Sequence, residues 1–237
     1  MINKFNFKDF RYLLFFSIVF IFLTSCNLYK IRNLDLNEKR LRNAIKLNPN
    51  HELGYIRLAQ YFENKHLFSE TLSILRLGQK NIPHSISLIR LEGAVLSGLG
   101  HQKLSSIFYA KQILNHPNNE FLYIDRAKNR FNTGKRFLAL SDARKALKIN
   151  PNSFEALFIT GLILSHNSYQ KAPKKINEAL EKFTIASEIN GKNPDVWLRI
   201  SDLWEKKKNI RMAKVAMIKA VEISPESRPF LQRLTIL

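Results

Sequence analysis

The chain has 237 residues, 45% of them hydrophobic and 24% charged, which is enough to bury a sizeable core. Eight glycines and eight prolines exclude a collagen-like or low-complexity chain, and a single cysteine, Cys26, excludes an intrachain disulfide. A formal charge of +19 suits anionic lipid, acidic protein or nucleic acid and does not choose among them.

The chain opens with Lys4, Lys8 and Arg11 against Asp9, followed by Tyr12 to Leu23 without a charge. A basic segment followed by an apolar run reads as a secretory signal. A permanent span needs about 20 apolar residues to cross roughly 30 Å of hydrocarbon, and this run falls short. It ends in Leu23-Thr24-Ser25-Cys26, which resembles the lipobox of bacterial lipoproteins. The resemblance implies cleavage after Ser25, a diacylglyceryl group on the Cys26 sulfur and acylation of the new amino terminus. Two or three acyl chains anchor stably where one does not. The competing reading is a small buried cysteine that follows an uncleaved signal anchor. Removing residues 1–25 takes away three basic residues and one acidic residue, leaving +17. Residues 26–33 form the lipidated tether. Asn27 to Asn33 spans at most about 25 Å when extended, which keeps the folded body near the bilayer.

From residue 34 the dominant signal is a period. Pro49, Pro83, Pro117 and Pro151 stand 34 residues apart. The same interval links Tyr55, Ile89, Tyr123 and Leu157, and, four residues on, Ala59, Gly93, Ala127 and Gly161. A large and a small residue four apart share one helix face, where the small one admits a neighbouring helix. Second helices carry Thr71, Ser105 and Ala139, then Leu75, Tyr109 and Ala143, then Gly78, Gln112 and Ala146, with Gln112 the misfit. After Gly161 the register slips by six, because Trp197 and Ser201 follow Leu157 and Gly161 by 40. The insertion must fall in Ser165 to Asn177, and it lengthens the fourth hairpin's turn or first helix. Register then returns in Ala179, Phe183 and Ala186 against Ala213, Met217 and Ala220, and Gly191 precedes Pro225 by 34.

This pattern resembles the tetratricopeptide repeat, a 34-residue helix-turn-helix unit. The resemblance implies an all-α, right-handed superhelical solenoid of about five hairpins, with units 52–85, 86–119, 120–153, 154–193 and 194–227. A capping helix is expected at each end, within 34–51 and 228–237. Phe230, Leu231, Leu234, Ile236 and Leu237 are apolar for a solvated cap, so this edge either docks on the fifth hairpin or supports a complex or oligomer.

In resembling proteins the first helices line a concave groove. The positions that carry over are Ile56 and Gln60, Arg90 and Ala94, Ile124 and Lys128, Phe158 and Leu162, and Leu198 and Asp202. An apolar row flanked by Arg90, Lys128 and Asp202 suits a peptide with hydrophobic anchors, although tight winding could bury part of it. The clamp that some relatives use on acidic tails lacks its asparagines here. No HExxH, GxSxG, phosphate-binding loop or paired-carboxylate frame occurs, and the six histidines fall near turns. No enzyme, metal or cofactor is therefore implied. Lys206-Lys207-Lys208 reads as a solvated face, and export argues against nucleic acid. The expectation is an envelope adaptor for a protein or peptide partner, held to a membrane through acylated Cys26 on the periplasmic side of the outer membrane. The alternative is a structural subunit of an outer-membrane protein assembly complex.

Overall fold

The computed structural model describes residues 36–166 and 173–237. The signal segment, Cys26 and the tether lie outside them. Among the described residues every regular element is helical: α1 (Leu36–Leu47), α2 (Glu52–Asn64), α3 (Phe68–Asn81), α4 (Ile86–Gly98), α5 (Gln102–Asn115), α6 (Glu120–Asn132), α7 (Arg136–Ile149), α8 (Phe154–Ser165), α9 (Pro173–Ile189), α10 (Pro194–Lys206), α11 (Ile210–Ile223) and α12 (Arg228–Ile236). The fold is an all-α helical repeat. Helix starts follow from local chemistry: the side chains of Asn119, Ser153, Asn193 and Asn209 each accept a bond from a backbone N–H of the first turn, which satisfies a donor the helix cannot.

The described residues divide into two compact units, split between Leu88 and Ile89, so α4 begins in the first and continues in the second. In the first, α2 and α3 pack through Tyr55, Leu58, Phe62, Ile74 and Leu75, all buried. The absent side chain of Gly78 makes room, since a Cβ there would lie 2.9 Å from the Tyr55 ring. Helix α1 rests on α2 where Gly54 meets Ile45, and it buries no residue fully.

In the second unit the same solution recurs with different residues. A Cβ on Gly93 would overlap the Tyr109 ring, and one on Gly161 would fall 2.7 Å from that of Phe183. Each bulky ring on a second helix thus occupies the space that a first helix leaves empty. Burial pushes the Tyr109 phenol far above its usual pKa, with Asp125 adding and Arg90 opposing. It stays protonated and donates to the Arg90 carbonyl at 3.1 Å. Small hydroxyls also cross the hairpins: Ser105 donates to the Gly93 carbonyl and Ser201 to that of Ala213, each at 2.8 Å. Gln112 is half-buried. The large residue of its repeat is Ile89, so the ring that Gly78 must clear in the first repeat is missing.

The 34-residue pairing of aromatic and proline has a bond behind it. Tyr55 donates to the Pro49 carbonyl at 2.9 Å, Tyr123 to that of Pro117 at 3.1 Å, and the Trp197 indole to that of Gly191 at 2.9 Å. Ile89 and Leu157 have no group to donate. Within hairpins the turn residue adopts positive φ in His66, Gly100, Gly134 and Lys208. This is the left-handed position that closes a helix C-terminus, and glycine fills it in two of the four.

The insertion differs in part from expectation. First helix α8 is not lengthened, at twelve residues. Second helix α9 runs seventeen residues where α3, α5, α7 and α11 run fourteen. Pro173 explains the placement: it lacks a donor and has a fixed φ, so it fits a helix's first turn and lets the added residues extend α9 backward.

One charged cluster is built into the core. Asp142 of α7, with its side chain 5% exposed, takes two bonds from Arg126 and one from Arg130 of α6. At the C-terminus α12 lies against α11, and its Arg233 pairs with Asp202 and Glu205 of α10.

Gly161→Ala is expected to lower stability by about 2 kcal/mol, although helix propensity alone would raise it by up to about 1 kcal/mol. Phe183→Leu in the same chain should recover part of that loss. Denaturant titration of both single variants and the double variant measures the coupling, and additive effects would refute the contact.

Candidate protein-binding cleft

In the second unit, the first helices α6, α8 and α10 enclose a cleft of about 470 Å³ lined by Lys128, Phe131, Phe154, Glu155, Phe158 and Leu162, with Asn193 and Asp195 at one end. A second cleft of about 350 Å³ shares Phe131 and Leu162 and continues over His166, Arg199, Asp202 and Lys206. The aromatic wall is ordered by packing. Phe154 stacks on Phe158 at 5.9 Å, and Phe158 stands edge-on to buried Phe183 at 5.5 Å. Phe183 is the ring that fills the gap at Gly161, so the hairpin contact fixes the wall.

The expected groove residues divide. Lys128, Phe158, Leu162 and Asp202 line these clefts. Ala94 is exposed and Leu198 half-buried, but neither lines them. Ile56, half-buried, and Gln60, exposed, belong to α2 of the first unit. Ile124 is a correction: it is 0% exposed and belongs to the core, because α6 has α5, α7 and α8 packed around it. Sequence reasoning missed Phe131 and Phe154. Phe131 lies seven residues after Ile124 and Phe154 four before Phe158, each one turn beyond the pair chosen, so extending the row along the same helix face would have found them.

The charges at the rim are answered from within the chain. Arg90 bonds Asp125 at 2.7 and 3.3 Å, reaches Glu155 at 3.3 Å and lies over the Phe121 ring at 4.6 Å. Lys128 stands 3.8 Å from Glu155 and 4.0 Å from Asp125. Two cations therefore face two carboxylates, which leaves no net positive clamp for an acidic tail. At the far end His166 stands 3.3 Å from Arg136 and edge-on to Phe131. Burial, then the charges of Arg136 and Lys206, pull its pKa below the usual imidazole value, so it is neutral at pH 7. Burial raises the Asp202 carboxyl, and Arg233 and Arg199 pull it down without cancelling that rise.

Among the described residues no group of three or more His, Cys, Asp or Glu is placed to hold a metal, and no helix is long and apolar enough to cross a membrane. What the clefts offer is an apolar, aromatic trough with neutralised edges.

No family model and no curated protein matches the chain. Solved structures do. The chain is similar to YrrB, described as a TPR protein with an unusual peptide-binding site, at 19% identity and a TM-score of 0.55 over 83% of this chain and 98% of that one. It is similar to TTC0263, a thermophilic TPR protein of Thermus thermophilus, at 15% identity and a TM-score of 0.60 over 78% and 97%. Yeast Tom70 matches at 13% identity and a TM-score of 0.74 over 86% of this chain and 43% of its own. At these identities the likeness shows the fold: this is the helical-repeat fold of tetratricopeptide-repeat proteins.

The Asp202 shift has a sign that can be checked. With its pKa raised on folding, the folded chain holds that proton more tightly, so the contribution to stability is present in acid. It is lost as pH rises from about 4, the ordinary Asp range, through the raised value. Asp202→Asn cannot titrate and should remove that part of the fall, as urea melts stepped across this range would measure. An unchanged slope would show that Asp202 is not the group responsible.

Proposed function

We propose that the chain is a protein-binding adaptor, anchored to a bacterial envelope membrane through acylated Cys26, and that it takes a peptide segment in the cleft between α6, α8 and α10. One observation carries the binding half of this reading. Phe131, Phe154, Phe158 and Leu162 converge on open space while the rim charges are already paired. A bulky apolar side chain entering there would displace water from the rings without stranding a charge. The likeness to YrrB supports a peptide as the ligand class. The anchoring half rests on the apolar run and lipobox of residues 12–26, with the periplasmic side of the outer membrane as the favoured location.

A second reading is a structural subunit of an outer-membrane protein assembly complex. Its support is the C-terminal helix, where Leu231 and Ile236 are exposed at 42% and 79%. Stable co-purification with a β-barrel protein, lost on Ile236→Glu, would favour it.

The cleft is tested by crosslinking the full-length protein in its own cells and comparing wild type with Phe158→Glu and Lys128→Glu. Lys128 is exposed, so its substitution leaves the packing alone. Phe158→Glu should remove the main crosslinked partner, and Lys128→Glu should weaken it by about 1 kcal/mol or less, the usual scale of an exposed pair. An unchanged partner set in both variants would sink the cleft assignment.

Cys26→Ala should abolish incorporation of labelled acyl chains and block cleavage after Ser25. Acyl label retained by that variant would refute the anchor.

A further inference from the structure

The positive charge that the cleft neutralises is a small part of the +19 that the chain carries. A concentrated share lies on two consecutive second helices of the second unit. Helix α5 contains no acidic residue, and the one acid of α7, Asp142, is buried beneath Arg126 and Arg130. On α5, Leu104, Ile107, Lys111 and Leu114 share one helix face by their spacing, and all four are exposed. The 34-residue register places Leu138, Ser141, Lys145 and Lys148 of α7 at the corresponding positions, with Phe137 beside them, and all five are exposed as well. Phe137 and Leu114 are 81% and 82% exposed. None of Lys103, Lys111, Lys145 and Lys148 enters an ion pair among the described residues.

The face also has an edge. Arg144 of α7 is held at 2.8 Å by Glu178 of α9. In α9 the positions matching Leu138, Ser141 and Lys148, shifted by the insertion, are Glu178, Glu181 and Glu188. Large apolar side chains exposed singly are ordinary. Five of them among lysines, with no exposed acid on either second helix before α9, form a surface suited to being covered.

We infer that the outer face of α5 and α7 is a membrane-contact surface that lies against an anionic lipid bilayer. Charge and apolarity together select this occupant. Lipid phosphates answer the lysines, while Leu104, Ile107, Leu114, Phe137 and Leu138 enter the boundary between headgroups and acyl chains. Lysine suits such a boundary because its long stem packs on apolar surface while the ammonium stays among phosphates. Nucleic-acid phosphates would satisfy the lysines and leave the apolar side chains in water. The inference relies on the proposed anchor only for what brings the chain to a bilayer; the face itself is argued from α5 and α7 alone.

The single native cysteine makes the test clean. In full-length protein carrying Cys26→Ala, either Ile107→Cys or Phe137→Cys takes a polarity-sensitive dye, with Glu181→Cys at an exposed position of α9 as the comparison. Each is mixed with phosphatidylcholine vesicles containing a lipid-borne quencher, with and without phosphatidylglycerol. The dye at 107 and at 137 should shift to the blue and be quenched on the anionic vesicles only, and the dye at 181 should do neither. Replacing Lys103, Lys111, Lys145 and Lys148 together by Gln should weaken this docking at least about tenfold. The inference fails if the dyes at 107 and 137 stay in water on anionic vesicles, respond equally on neutral ones, or respond to polyuridylate instead. Sedimentation of the acylated wild-type chain with neutral vesicles reads the proposed anchor separately. A wild-type chain that does not sediment, beside dye-labelled variants that still show the anionic response, would overturn the anchor and leave the face standing.

Discussion

Two helices can approach only until the side chains of one meet the backbone of the other, and among the described residues there are three points where a glycine leaves that space to a ring. Gly78, Gly93 and Gly161 are those points. At each the vacated space is filled by a ring, from Tyr55, Tyr109 and Phe183 respectively. The substitution of ring for Cβ does more than fill volume. It sets how far apart the helices stand and holds the ring in one place. Phe183 in turn supports Phe158, so the wall of the candidate cleft is placed by a contact one turn along the same helix. The site therefore inherits its geometry from the repeat.

Charge is distributed under a similar constraint. In the core two guanidiniums meet the buried carboxylate of Asp142, and the cleft rim sets Arg90 and Lys128 against Asp125 and Glu155. Desolvated charge is costly unless paired, whereas exposed charge costs little. The excess cations are accordingly found on outer helix faces, and much of the acid on the second helices of the second unit gathers on α9. A chain of large net charge can thus carry a nearly neutral binding trough beside a basic outer face.

Much of this was legible in the sequence. The period located the helices because each repeat solves the same packing problem with the same kinds of residue, and Tyr55, Tyr123, Gly93 and Gly161 perform the roles that their spacing implied. Other features depended on three-dimensional neighbours and were not legible. Ile124 holds a groove position by register yet is buried, because a residue's exposure depends on what packs over its helix, which spacing does not report. Phe131 and Phe154 lay one turn beyond the residues carried over. The slip in register was legible between Ser165 and Asn177, but that α9 rather than α8 is the longer helix turned on Pro173, which opens α9. That Arg90 answers Asp125 could not be read from position alone, since the partners are 35 residues apart and on different helices.

The aromatic donors reaching back to Pro49, Pro117 and Gly191 have a further consequence. They occur in the first, third and fifth repeats, while Ile89 and Leu157 leave the second and fourth without one. Each such bond ties the start of a helix to the turn before it. A helical repeat protein is often treated as a row of equal segments whose cooperativity is uniform along its length. Here the fastening changes from repeat to repeat: an aromatic donor holds the first, third and fifth turns, while the buried hydroxyls of Ser85 and Ser153 cap the helices that follow the second and fourth. The chain is a repeat in packing but an alternation in how its turns are fastened.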